Sequence, residues 1–484
     1  MGLRQIARTS ISLLVAGSLA ACGGGGGKSS SGPISGGGGG VTPTPTPTTS
    51  QCSLANRQQF VVDVLNEWYL FPELLDLSVN RSNYTQLQDY IDALVAPARA
   101  QSKDRFFTYI TSIKEENAFF NSGSSAGFGF RLGYDTSANR VFIIEAFEQG
   151  PALALGFDRG VELLAVGVNA GTLQDISALM ASGGPEAVIN ALGPSTPGVS
   201  RVFRIRDNSG IVREVSVTKA DYSLDPVSNR YGAKVLNDGG KLVGYVNLRT
   251  FIDTAEPDLR AAFADFRAKG VTEVIVDFRY NGGGLVRIAE LMGDLMGRDK
   301  VGQVFSYTTL RPSKASENTT DLFGTQPEAI APTKIAFIGR GGTASASELV
   351  ANAFIPYLGS NMALVGTNTF GKPVGQYGFD LAACDDRLRA VVFKTENADR
   401  QGEYYTGLAS VVPQTCSAND DISAQLGDPA EASVASALTY LRGGVCTPIT
   451  ATAGKQGAQA VTPRREILQP KAPSPAQREV PGLF

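Results

Sequence analysis

The chain has 484 residues, enough for two or three domains, since one core rarely grows past about 250–300 residues. Its 43 Lys and Arg against 46 Asp and Glu leave a net charge of -3, without the basic stripe that a phosphate backbone needs, so nucleic acid is excluded as an expected partner. There are 0 histidines, which excludes Ser-His-Asp hydrolysis, Cys-His proteolysis and histidine-ligated zinc; a general base must be Lys, Asp, Glu or Tyr.

Residues 1–21, "MGLRQIARTSISLLVAGSLAA", carry Arg4 and Arg8 and then an apolar run too short to span a bilayer, the pattern of a secretory signal peptide. The end of that run, Leu19-Ala20-Ala21-Cys22, resembles the lipobox of bacterial lipoproteins. The resemblance implies acylation at Cys22 and a lipid anchor in the membrane. Gly23, where an aspartate would signal inner-membrane retention, implies the outer membrane of a Gram-negative bacterium, periplasm-facing or surface-exposed. Residues 22–51 are Gly, Ser, Thr and Pro with almost nothing to bury and read as a tether. At the other end, 447–484 is Pro-rich and aperiodic and reads as a disordered tail. Four further cysteines, Cys52, Cys384, Cys416 and Cys446, suggest two disulfides in an exported protein, for which three pairings exist. Cys384 with Cys416 would close a local loop, leaving Cys52 with Cys446, and this is the expected pairing.

Residues 52–120 carry a helical pattern. In "ANRQQFVVDVLNEWYLF" the residues Phe60, Val61, Val64, Leu65 and Trp68 share one face, and "YTQLQDYIDALVAPARA" predicts a second helix. Together they predict a small helical N-terminal domain without chemistry of its own. From 124 to 222 short alternating strands follow, among them "RVFIIEAF", "VELLAVGV" and "RVFRIRD". The loop Gly127-Phe128-Gly129-Phe130 followed by "GPALALGFDRGVELLAVG" resembles a PDZ domain. That resemblance implies that the loop N–H groups bind a peptide's terminal carboxylate beside a groove that accepts an added strand. Val161 stands where that family usually carries an acidic residue.

Residues 223–446 change to strand, helix, strand, helix, predicting a layered α/β core with its site on the loops at the carboxyl ends of the strands. "TEVIVDFRY" is the near-continuous apolar run of a buried parallel strand, and the loops that follow the strands bring Asn281 and Thr343 to one edge. Ser345, in "GGTASASELVANAF", opens a helix and also begins an S-x-x-E capping box with Glu348. "TFGKPVGQ" follows the next strand, so Lys372 can meet Ser345, and an extended chain puts Gln376 on the same face as Lys372. To act as a base, Lys372 must be neutral near pH 7 against an ordinary value of about 10.4, a difference of roughly 4 kcal/mol that burial can supply. "NGGG", Asn281 to Gly284, offers unhindered backbone N–H groups for an oxyanion, and the N–H of Ala346 is the natural second donor. A phosphate-binding loop is the rival reading of these glycines, but G-K-[ST] is missing.

Three ordered motifs, "VIVDFRYNGGG", "GGTASASELVANAF" and "TFGKPVGQ", preceded by the PDZ-like segment, resemble the carboxyl-terminal processing (tail-specific) serine peptidases. Over about Cys52 to Cys446 the resemblance implies a multidomain α/β protein with a crotonase- or ClpP-like core. It implies Ser345 as nucleophile, Lys372 as base, Gln376 as the residue that orients it, and Gly284 and Ala346 as the oxyanion hole. Neither metal nor organic cofactor is implied, and the expected partners are polypeptides with exposed C-termini. Two departures stand out: about two extra residues between Ser345 and Lys372, near "IPYLGSN", which bring Ser347 closer to the usual spacing, and Pro373 where glycine is more usual. Alternatives from other classes are a non-catalytic peptide-binding module on the same fold and a crotonase-like enzyme acting on thioesters.

Overall fold

The computed structural model describes residues 52–450 and 465–484. The signal, the tether and Cys22 lie outside the described residues. Thr49–Phe484 form one compact unit, and among the described residues no helix is long and apolar enough to cross a membrane.

The unit is built around a six-stranded sheet with the order Ala233–Asp238, Lys241–Asn247, Glu273–Asp277, Lys334–Gly339, Met362–Gly366 and Thr415–Ser417. Its first pair is antiparallel and the other four pairings are parallel. Every residue of Glu273–Asp277 is buried, as expected for a parallel strand covered on both faces. Side chains alternate across it. Val274 and Val276 join the core under helices Ala255–Ala268, Val286–Met296 and Ala346–Leu358. Ile275 faces the opposite core, closed by helix Ala432–Leu441. The result is a helix-sheet-helix sandwich whose strands release their loops at one edge.

A second, antiparallel sheet is organised by the long strand Asp386–Glu396, which pairs with Tyr109–Ser112, Val304–Leu310 and Val374–Leu381. The N-terminal helices do not form a domain of their own, contrary to the sequence expectation. Val61 and Leu65 of helix Leu54–Trp68, and Ile91 and Leu94 of helix Leu87–Leu94, share one core with Leu388, Val391 and Phe393. Their single apolar faces are too few to close a core alone, so they pack on the sheet instead.

Residues 124–223 are rich in strands and form a β-rich body. Ser124–Gly127 pairs with Ala220–Ser223 and ties its two ends together. Strands Phe130–Asp135, Arg140–Ala146, Glu162–Gly167, Ser200–Arg206 and Val212–Thr218 make a sheet crossed by helix Ile176–Leu192. Buried charges fix this body to the sandwich: Arg131 donates to the Tyr280 carbonyl at 2.9 Å, Arg159 pairs with Asp420 at 2.7 Å, and Arg249 pairs with Glu145 at 2.7 Å. Each charge removed from water here has a partner, which burial demands.

Two further expectations are corrected. The disulfides are Cys52–Cys384 and Cys416–Cys446, with Cα separations of 5.4 and 4.9 Å. Strand Thr415–Ser417 lies at the edge of the central sheet, next to the segment after helix Ala432–Leu441, so Cys416 meets Cys446 rather than Cys384. Residues 465–484 are not a disordered tail: Arg465–Glu466 adds a strand to Phe130–Asp135, Pro475–Glu479 is a helix, and Val480, Leu483 and Phe484 are buried. Lack of periodicity hid this because the segment is held by contacts with three other parts of the chain rather than by a core of its own.

Candidate active site

The loop after strand Glu273–Asp277 passes through Tyr280, at φ 67°, and is pinned by Asn281. The Asn281 side chain donates to the Leu248 carbonyl at 2.8 Å and accepts from the Gly283 N–H at 2.9 Å; its own carbonyl takes the Ala344 N–H at 3.0 Å. Of the three glycines that follow, Gly282 donates to the Glu479 carbonyl at 2.9 Å and Gly283 to Asn281. Gly284 takes part in neither bond and lines the same cavity as Ser345. Its φ of +133°, and a Phe251 carbonyl oxygen 2.3 Å from where a Cβ would stand, admit only glycine there.

Ser345 precedes helix Ala346–Leu358 with φ 55° and ψ −115°. A non-glycine residue in this region is strained by roughly 1–3 kcal/mol, and Ser345 lines a small cavity from this turn. The Ala346 N–H is the first of the helix and has no partner within it. Ser347, the competitor by spacing, is fully buried and its hydroxyl donates to the Asn281 carbonyl at 3.2 Å.

Lys372 lies between strand Met362–Gly366 of the central sheet and Val374–Leu381 of the second sheet. Its Nζ donates to Gln376 Oε1 at 2.7 Å, and Gln376 Nε2 donates to the Phe107 carbonyl. The amine sits 5.0 Å from the centre of the Phe107 ring. Burial, helped by Arg389 and Arg478, holds it below its ordinary value against the opposite pull of Glu479 and Asp104. Ser345, Lys372, Gln376 and Gly284 line one cavity of about 120 Å³, together with Tyr109, Arg389 and Glu479.

The capping box read at Ser345 and Glu348 is present, but sequence reasoning missed the part that four residues play here. Glu348, read as half of a capping box, is fully buried and accepts from Ser345 N–H at 3.1 Å, Lys372 N–H and Gly371 N–H at 2.7 Å each, and Thr369 Oγ1 at 2.6 Å. Arg105 and Phe107 come from a segment read as free of chemistry; Arg105 donates to the Gly371 carbonyl at 2.7 Å and Phe107 holds Gln376. Glu479 comes from the tail. Only Glu348 carried a sequence signal, its S-x-x-E spacing. The remaining candidates, Gly127, Phe128, Gly129 and Phe130, lie in the β-rich body. Phe128 and Phe130 are fully buried there, and the N–H groups of Gly129 and Phe130 point at the Phe484 carbonyl oxygen, at 3.0 and 3.2 Å.

Residues 242–407 match the model of peptidase family S41. The chain is 26% identical over 328 residues to a carboxyl-terminal-processing protease of Synechocystis, covering 67% of this chain and 70% of that one. It is 28% identical to the chloroplastic carboxyl-terminal-processing peptidase 3 of Arabidopsis thaliana, where the match covers 55% of this chain and 49% of the relative, about half its length. A Bacteroides fragilis structure provisionally assigned as an S41 protease superposes with a TM-score of 0.62 at 23% identity, over 79% of this chain and 97% of that one, a likeness of fold. The segment that holds the Asn281 loop, Ser345 and Lys372 thus matches peptidase family S41, and the chain is similar to carboxyl-terminal-processing proteases.

Proposed function

We propose that this protein is a serine endopeptidase in which Ser345 attacks the scissile carbonyl and Lys372 is the general base. Lys372 takes the hydroxyl proton as the bond forms, and the resulting ammonium later donates it to the leaving amine. The N–H groups of Gly284 and Ala346 receive the oxyanion. Gln376 holds the lysine through the Phe107 carbonyl. The β-rich body acts as a PDZ domain that reads substrate C-termini, and Cys22 carries the lipid that anchors the protein at the outer membrane, where it acts on envelope polypeptides. The observation that carries the reading is the shared cavity of Ser345 and Lys372, in which the lysine amine is buried and bonded to Gln376 at 2.7 Å.

The test uses soluble, oxidised protein starting at Gln51 and mass spectrometry of an unfolded test protein that ends in a free apolar carboxylate. Wild type cleaves; Ser345→Ala and Lys372→Ala do not; amidating the substrate's end slows cleavage. Cleavage by Ser345→Ala would sink the assignment of the nucleophile. No cleavage by any form, with C-terminal peptides still bound, would establish the peptide-binding module instead.

A further inference from the structure

Residues 465–484 run through both places where a substrate would have to sit. Arg465–Glu466 pairs antiparallel with the far end of strand Phe130–Asp135, Arg465 opposite Asp135. After an excursion the chain returns to the near end of the same strand: Leu132 N–H donates to the Gly482 carbonyl at 2.9 Å, Arg131 bridges Leu483, and Phe484 N–H donates to the Phe130 carbonyl at 2.9 Å. The Phe484 carbonyl oxygen takes the N–H groups of Gly129 and Phe130, and the Phe484 ring lies in the core formed by Phe128, Phe130 and helix Ile176–Leu192, 3% exposed. This is strand addition with the Phe484 side chain in an apolar pocket, the geometry of a bound peptide.

The excursion crosses the active site. The helix Pro475–Glu479 brings the Glu479 carbonyl onto the Gly282 N–H at 2.9 Å, and its carboxyl into the cavity of Ser345 and Lys372. Arg478 stacks 3.6 Å from the centre of the Tyr109 ring. Ala476, Val480 and Leu483 bury against Phe119, Tyr222 and Ile252, drawn from three separate parts of the fold. Beside Lys372 a cleft of about 640 Å³ remains, and Ile467, Gln469, Arg478 and Pro481 form one of its walls. Glu479 sits in a helical turn, whereas a peptidase presents its nucleophile to an extended strand, so the segment occupies the cavity of Ser345 without the shape of a substrate. Its carboxylate also favours the protonated form of the lysine.

We propose that residues 465–484 are an intramolecular ligand that fills the peptide groove and covers the dyad, so that the enzyme is latent until a peptide ending in a large apolar residue displaces them. This rests on the peptidase reading for its consequence on activity and on the groove geometry alone for binding. A tether that holds a ligand of about 10 µM intrinsic affinity at an effective concentration on the order of 1 mM weakens any outside competitor roughly 100-fold.

The experiment compares protein from Gln51 onward with its Phe484→Asp form, both carrying Ser345→Ala, using fluorescence anisotropy of a labelled Val-Pro-Gly-Leu-Phe peptide as free acid and as amide. The Phe484→Asp form binds the free acid at least tenfold more tightly, and peptide added to the intact tail raises hydrogen exchange in residues 476–484. Ending the chain after Arg464 repeats the binding arm without the substitution. Equal affinity in all forms, or binding that leaves tail exchange unchanged, overturns the proposal. With Ser345 restored, Phe484→Asp cleaves an unfolded substrate at least tenfold faster; equal cleavage by both forms overturns it. Unmasked binding with no cleavage by any form leaves the tail as the groove's ligand and defeats the peptidase reading instead.

Discussion

A single carboxylate of Glu348 joins the loops of Ser345 and Lys372: Oε2 accepts the backbone N–H of Ser345 at 3.1 Å and that of Lys372 at 2.7 Å. Oε1 takes the Gly371 N–H and the Thr369 hydroxyl. Burial raises this carboxyl above its ordinary value, and the four donors oppose that rise. Glu348→Ala would leave several donors buried and unpaired, so the protein should lose about 2–4 kcal/mol of stability. Because the proposed nucleophile and base would lose their common reference, kcat should fall more than tenfold with KM little changed. Glu348→Gln keeps the shape but turns an NH₂ toward backbone N–H groups, and should rescue less than half of the lost stability. Thermal melts and steady-state kinetics check both; wild-type kcat in Glu348→Ala would refute the positioning role.

Activity should rise with pH along a single ascending limb whose midpoint lies below the ordinary lysine value, because as the proposed base Lys372 must lose its proton to act and burial favours the neutral amine. The charges that face it are Glu479 and Asp104, which pull the value up, and Arg389 and Arg478, which push it down. Lys372→Arg keeps a permanent cation and should be inactive at every pH. The same shift has a stability consequence. Between the folded value and about 10.4 the unfolded chain binds more protons at this site, so stability rises with pH in that window. The advantage of Lys372→Met over wild type in thermal melts should therefore shrink as pH rises through it. A wild-type profile flat from pH 6 to 10 would remove Lys372 from the base role.

Much of the sandwich was legible because its signals are local. The run Glu273–Asp277 is apolar since both faces are covered, Gly270 ends the preceding helix at φ 67°, and each loop carrying a candidate residue follows a strand at the same edge. The order of the three motifs therefore carried the spatial proximity of Ser345 and Lys372. What was hidden is non-local. Phe107 reaches Gln376 across 269 residues of chain, and the N-terminal helices gave no hint that their partner was the strand Asp386–Glu396. The tail read as disordered because Pro475, Pro481 and Gly482 break periodicity, yet these breaks let it turn from the groove into the cleft and back.

Peptide mapping without reduction should recover Cys52 linked to Cys384 and Cys416 linked to Cys446, not the pairing expected from loop length. The second bridge closes a separation of 30 residues, and its removal by Cys416→Ala with Cys446→Ala should cost about 3–4 kcal/mol. The first closes a separation of 332 residues, so its loss should cost at least as much if chain entropy dominates. Differential scanning calorimetry of the two double variants separates the bridges; a Cys384–Cys416 peptide would contradict the strand order at that edge of the sheet.

Gln376 separates orientation from electrostatics. Its amide bridges Lys372 Nζ and the Phe107 carbonyl, so it contributes an acceptor to the lysine in either protonation state without adding charge. Gln376→Ala removes the acceptor and leaves the Phe107 carbonyl without that donor; kcat should fall about tenfold, the worth of roughly one hydrogen bond. Gln376→Glu keeps an acceptor but sets a negative charge 2.7 Å from the amine position, which favours the ammonium. Its ascending pH limb should therefore move to higher pH, with low activity near pH 7 that recovers as the solution is made more alkaline. If Gln376→Glu lowers activity equally at every pH, the carboxylate does not act on the lysine proton, and the role of Gln376 is packing alone.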